Sequence, residues 1–72
     1  MKEIFRLSGL DCAACAAKAE RRMQKVKGVR ALTYGFLTEK LTVEYEGERE
    51  AILSELLAIC KKVDKNATIR SY

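Results

Sequence analysis

The chain has no proline and no histidine, and its aromatic residues are limited to three tyrosines and two phenylalanines in 72 positions. Without histidine, no imidazole can serve as a metal ligand. Without proline, a thioredoxin-like thiol–disulfide enzyme is disfavoured, because such enzymes depend on a proline beside the active-site cysteines and are usually longer. Few aromatics leave little material for a base-stacking surface: "KLTVEY" offers one, at the end of a strand. No apolar run approaches the roughly 20 residues needed to cross a bilayer. The opening "MKEIFRL" is short of the apolar core of a secretory signal. The expected location is therefore the cytosol, for a free-standing chain or for the cytosolic module of a longer one. There is no low-complexity segment and no linker.

A chain of this length makes one domain, residues 1–72, and buries only about 60% of its unfolded surface, so its core is thin. Hydrophobic residues at 49% and charged residues at 33% suit a soluble globular protein. Three cysteines make an odd count, which does not close a disulfide framework. In a reducing compartment a CxxC more often serves metal or redox chemistry. The formal charge is +4, and Lys18, Arg21, Arg22, Lys25, Lys27 and Arg30 crowd a window whose single acid is Glu20. That window is either the solvated face of a helix or a docking face for an acidic partner, and neither requires nucleic acid.

Alternation in "KEIFRL", with Phe5 and Leu7 inward, predicts a strand over 2–7 that "SG" ends. Ala16, Ala19, Met23 and Val26 recur at spacings of three and four, predicting a helix over 13–27 with Gly28 as its stop. "GVRALTYGFLTEKLTVEYEGE" holds two strand-like runs joined through Thr38–Lys40, a hairpin in which Tyr34, Phe36 and Tyr45 serve packing. Ile52, Leu56, Ile59 and Val63, widened by Leu53, Leu57 and Cys60, predict a second helix over 49–62, and "ATIRSY" closes the chain as a strand. The order βαββαβ is two split βαβ units, an α+β fold with a four-stranded antiparallel sheet and both helices on one face. Its strand directions bring the loop at 11–15, the hairpin at 38–40 and the link at 62–66 to the same end.

At that end stands "SGLDCAACAAKAE", residues 8 to 20. Cys12 in the loop and Cys15 in the first helical turn can direct two sulfurs to one ion, and the helix N-terminus favours the thiolate form that binds metal. Alanines at 13, 14, 16 and 17 put nothing bulky around them, which suits an accessible site able to pass its ion onward. Asp11 adds a hard oxygen donor. A carboxylate beside two thiolates suits a divalent ion with mixed ligands such as Zn²⁺, whereas two thiolates alone satisfy Cu⁺. The competing role for Asp11 is that of a helix cap.

The stretch "GLDCAACAAKAE" resembles the GMxCxxC metal loop of the heavy-metal-associated domain, and its DCxxC form is similar to that of zinc/cadmium/lead-exporting P-type ATPases. "KGV", "KLTVEY" and the second helix fall where that family has them, so the likeness covers nearly the whole chain. It implies a ferredoxin-like fold and a heavy metal ion, Zn²⁺ or Cd²⁺ with Pb²⁺ also accepted, held by Cys12 and Cys15 with Asp11 as third ligand. It further implies a cytosolic, non-enzymatic and monomeric module that delivers ions to a transporter or to another metal-binding domain, or regulates the transporter. The alternative within the family is a Cu⁺ chaperone or copper-ATPase domain using the two cysteines only. Leu10 stands where the family usually has methionine, and Ala19 where it commonly has a larger aliphatic residue. Cys60 and Asp64 belong to segments at the same end. A lone cysteine in an apolar stripe reads first as a small buried hydrophobe, and a loop acid reads first as solvated. Lys61, Lys62 and Lys65 would offset the charge of the site.

Overall fold

The period-two pattern of the strands and the three–four pattern of the helices place apolar side chains on one surface of each element, and the fold stacks those surfaces. The computed structural model describes all 72 residues, in the order β1 (Lys2–Ser8), α1 (Ala13–Met23), β2 (Val29–Gly35), β3 (Lys40–Tyr45), α2 (Arg49–Val63) and β4 (Thr68–Ser71). All pairings are antiparallel and the spatial order is β2-β3-β1-β4, so the sequence-adjacent hairpin lies to one side and β1 occupies the interior. This is the expected βαββαβ sheet with its two helices.

Alternation decides which face is covered. Phe5 and Leu7 of β1, Leu32 of β2 and Leu41, Val43 and Tyr45 of β3 are buried, whereas Lys2, Ile4, Ala31, Thr33 and Glu44 on the opposite face are exposed. From α1 come Ala16, Ala19 and Met23, and from α2 come Ile52, Leu56 and Cys60, all in one core cluster. Leu10 joins it at 7% exposure, so it fills the packing role expected of it. Ala19 is fully buried in the same cluster as Leu56 and Cys60 of α2, both without exposed surface. No buried side-chain oxygen or nitrogen lacks a partner.

Two boundaries differ from expectation. The first helix ends at Met23, four residues before the expected Lys27. Past it, three-residue turn bonds take over, from Lys25 N to Arg22 O at 3.1 Å and from Val26 N to Met23 O at 3.1 Å, while the Gln24 side chain donates to Leu32 O at 2.9 Å. Val26 still reaches the core from this tightened turn, which is why the apolar period continues beyond the helix. The hairpin turn occupies 36–39, and Lys40 already opens β3 opposite Gly35. Phe36 therefore packs on the core from a turn and not from a strand.

The shared end anticipated from strand direction is present and cross-tied. Glu39, at φ +58°, accepts Leu7 N–H on its backbone oxygen at 3.0 Å, and its carboxylate accepts from Arg6 at 3.2 Å and Ser8 at 3.4 Å. Tyr34 OH donates to Leu7 O at 2.8 Å, and Tyr34 N–H donates to Glu20 of α1 at 3.1 Å. On the other flank Gly9, at φ +94°, lies so close to the link after α2 that a Cβ there would stand 2.3 Å from Asn66 O. The loop that follows Gly9 is thus held between the hairpin and the 64–67 link.

Candidate metal site

The site grows out of the exit of β1. After Gly9 the buried Leu10 anchors the chain, Asp11 and Cys12 are exposed, and Cys12 adopts an extended conformation (φ −127°, ψ 129°) as the residue preceding α1. Its carbonyl takes the first helical bond from Ala16 N at 2.9 Å. Alanine is the strongest helix former, and the run that follows starts α1 without any side-chain cap. Ala13, Ala14 and Ala17 are exposed around the cysteines, so the sulfurs are reached from solvent over low relief.

All three cysteines are free thiols: Cys12 is exposed, Cys15 is partly covered and Cys60 is buried. The Cys12 thiol is held below its ordinary range, first by the backbone N–H of Cys15, then by the Cys15 side chain and the N–H of Ala14. These are the unpaired amides of the helix mouth acting on negative charge. Cys15 moves the other way. Its hydrogen bond with Cys12 is the largest cause, followed by partial burial and by the negative charges of Cys12 and Asp64, with Lys18 opposing. The two thiols are thus pushed apart, Cys12 the readier to ionise and Cys15 the more reluctant. A metal ion taking both sulfurs must displace the proton that Cys15 holds the more tightly.

Asp11 adjoins Cys12 in the chain, yet no three Cys, Asp or Glu side chains converge into a metal cluster. The structure brings the two sulfurs together and leaves the carboxylate outside them. It also shows that Asp11 does not cap α1, because Cys12 holds the cap position and no side-chain cap bond forms. The oxygen donor is uncommitted. Asp64 follows the last residue of α2, is half-buried, and accepts the backbone N–H of Asn66 at 3.0 Å, so it is more than a solvated loop acid. Cys60 has no exposed surface, its S–H faces Met23 Sδ at 3.5 Å, and burial pushes its thiol up to about 11. It is a core residue. Sequence reasoning missed the bracing of the loop by Tyr34, Glu20 and Glu39, for which no local pattern signals, since it depends on β2 and β1 flanking β3.

The donors that the structure does bring together, two neighbouring thiols at a helix mouth, fit a soft or borderline metal ion. Known proteins place the chain accordingly. Residues 4–65 match the heavy-metal-associated domain. A cadmium, zinc and cobalt-transporting ATPase of Bacillus subtilis is 31% identical over 71 residues, covering 97% of this chain. The chain spans only 10% of the length of that curated relative. Among solved structures, the Cu(I)-loaded N-terminal domain of a potential copper-translocating P-type ATPase from Bacillus subtilis superposes with a TM-score of 0.75 at 34% identity, covering 97% of this chain and 84% of that one. The Zn(II) form of the N-terminal domain of ZntA gives 0.71 at 30% identity, covering 96% and 88%. With the fold, the exposed CxxC and the match over residues 4–65 in agreement, this chain belongs to the heavy-metal-associated domain family.

Proposed function

We propose that the chain binds one divalent soft or borderline ion, Zn²⁺ or Cd²⁺ with Pb²⁺ also accommodated, through Cys12 and Cys15 with Asp11 as third ligand. It hands that ion to a heavy-metal P-type ATPase or to a sister metal-binding domain, or regulates the pump by its occupancy. The observation that supports this reading is the exposed Asp11 carboxylate, which does not cap α1 and is next in the chain to the exposed Cys12 of the sulfur pair. Two thiolates and a carboxylate leave a fourth tetrahedral position for an incoming ligand, as a transfer site requires. The metal ion is cargo, and the chain performs no chemistry on it beyond exchange of ligands.

A second reading, a Cu⁺ module using the two sulfurs alone, is supported by the Cu(I)-loaded relative, whose TM-score and identity exceed those of the zinc-loaded one. Metal affinities of Asp11→Ala separate them: a selective loss of Zn²⁺, with two sulfur neighbours plus light atoms in the X-ray absorption of the Zn-loaded protein, is the expected result, and equal losses for Zn²⁺ and Cu⁺ would overturn the zinc reading. Asp11→Ala should weaken Zn²⁺ by about 10- to 100-fold, the scale of a lost site partner, while leaving Cu⁺ nearly unchanged. Cys12→Ala and Cys15→Ala should each abolish tight binding of either ion.

A further inference from the structure

The apolar stripe of α2 is wider than the core needs. Ile52, Leu56 and Cys60 fill the core, while Leu53 and Leu57 carry the apolar surface sideways toward β4. Leu53 packs on the core cluster, as does Ile69 of β4, but Leu57 is half-buried without joining it. An open groove runs here between α2 and β4. Leu57 and Ile69 line its whole length, Glu50 and Leu53 stand toward one end, and Lys61 and Arg70 toward the other. β4 is also an edge of the sheet, paired with β1 on one side and with no strand on the other. Apolar side chains and open backbone groups thus share one flank of the molecule.

The charges along this flank have a direction. Glu50 opens α2, and Lys61 follows eleven residues later, about 16 Å along the helix. Leu53 and Leu57 lie between them, and steps of three, four and four residues keep all four side chains on one stripe. Neither Lys61 nor Arg70 takes part in an ion pair, and Glu50 pairs only with Arg49, its neighbour in the chain, which is itself bound to Glu3. An acid, two leucines and a base in that order form a seam that is complementary to its own reversal.

We propose that this α2–β4 flank docks a second copy of the chain. A two-fold axis perpendicular to the sheet sets β4 antiparallel to its counterpart, which continues the sheet across the interface, and the same rotation sets α2 antiparallel to its counterpart. Glu50 then meets the partner's Lys61 at each end of the seam, and the leucines of both copies interleave between. An unrelated strand adding to this edge would need an acid and a base at matching separation. A second copy carries them at that separation by construction, so the chemistry favours it. The rotation sends the two metal loops to opposite ends of the pair, where each stays open and no ion bridges them. This goes beyond the monomeric module that the family likeness implies, and it requires no metal.

The test is sedimentation velocity on the full metal-free chain, with chelator and reductant present, from about 10 µM to about 1 mM, the range in which a small interface associates. Reversible dimerisation is expected, with amide resonances moving on dilution at 50–61 and 67–71 and not at 11–15. Leu57→Asp, a change outside the core cluster, should weaken association at least about tenfold. Glu50→Lys and Lys61→Glu should each do the same, because each sets like charges together at both ends of the seam. An equimolar mixture of those two variants should recover the wild-type affinity, since every end contact in the mixed pair joins a cation to a carboxylate. A chain still monomeric at the highest concentration, an association that appears only when metal ion is added, or shifts centred on the metal loop or the open sheet face would each overturn the proposal. So would indifference to Leu57→Asp, or a mixture that associates no more tightly than either variant alone.

Discussion

Replacing Gly9 by alanine should be among the most damaging single changes available in this chain. Two costs add. An L-residue at φ +94° carries about 1–2 kcal/mol of backbone strain. The new Cβ would also stand 2.3 Å from Asn66 O, 2.7 Å from Asn66 C and 3.0 Å from Ala67 Cα, all backbone atoms that no side-chain rotation can move aside. Restoring ordinary contact requires a main-chain shift of roughly 1 Å, an overpacking cost of about 1–3 kcal/mol. The total of about 2–5 kcal/mol compares with about 4–11 kcal/mol for the whole stability of a domain of 72 residues. Gly47→Ala is the internal control: its φ is +105° but nothing lies within 4 Å of its Cβ, so only the strain remains. With an m-value of about 1 kcal/mol/M, urea unfolding followed by far-ultraviolet circular dichroism should show the midpoint lowered by about 1–2 M for Gly47→Ala and by about 2–5 M for Gly9→Ala. Equal losses in the two variants would refute the close approach of the metal loop to the 64–67 link.

The remaining predictions concern the core and the far end of the sheet. Cys60→Ser should destabilise by about 1–3 kcal/mol by burying a hydroxyl against the Met23 thioether, and more than Cys60→Ala, with zinc affinity retained in the alanine variant; loss of zinc binding there would make Cys60 a ligand. Iodoacetamide should alkylate Cys12 and Cys15 in the folded protein and reach Cys60 only on unfolding, because that thiol is both sealed and raised to about 11. The Glu3 carboxyl lies below its ordinary range, first through its bonds from Arg49 at 2.8 and 3.0 Å and then, against the opposing effect of burial, through Tyr45 OH at 3.0 Å. Its folded value lies below its unfolded one, so its contribution is whole above about pH 4.3 and disappears as pH falls through the lower folded value. Arg49→Gln should flatten the acid limb of a stability profile over that window, and an unchanged limb would remove Glu3 from the account. The effect is small, since the Glu3 side chain is 34% exposed.

Most of the fold was legible because its elements are amphipathic in simple periods. Phe5 and Leu7, Leu41 and Val43, and Ile52 and Leu56 sit where their spacing puts them. The end of α1 was not legible, because Val26 keeps the helical apolar period although a change to three-residue turns, with Gln24 bonded to β2, ends the helix at Met23. The bulge between Val29 and Ala31 left no mark in the sequence either, since it is fixed by pairing with β3. At the site, the CxxC and its helix mouth were readable from residue chemistry alone. The direction of polarisation within the pair was not, because it depends on which sulfur receives the amides of Cys15 and Ala14 and which one faces Asp64. Strand direction brought Asp64 to the correct end, but its turn with Asn66 is a tertiary outcome.

The burial of the third cysteine bears on how this chain survives oxidants. Three thiols permit three intramolecular disulfides, and two of those would staple the loop to the interior and wreck the packing. With Cys60 sealed among apolar side chains, peroxide meets only the outer pair, where a sulfenic acid on one cysteine is captured by its neighbour three residues away. Oxidation is channelled into one short bridge that a thiol reductant can undo, so the pair would lose its grip on a metal ion when oxidised and recover it when reduced, without refolding.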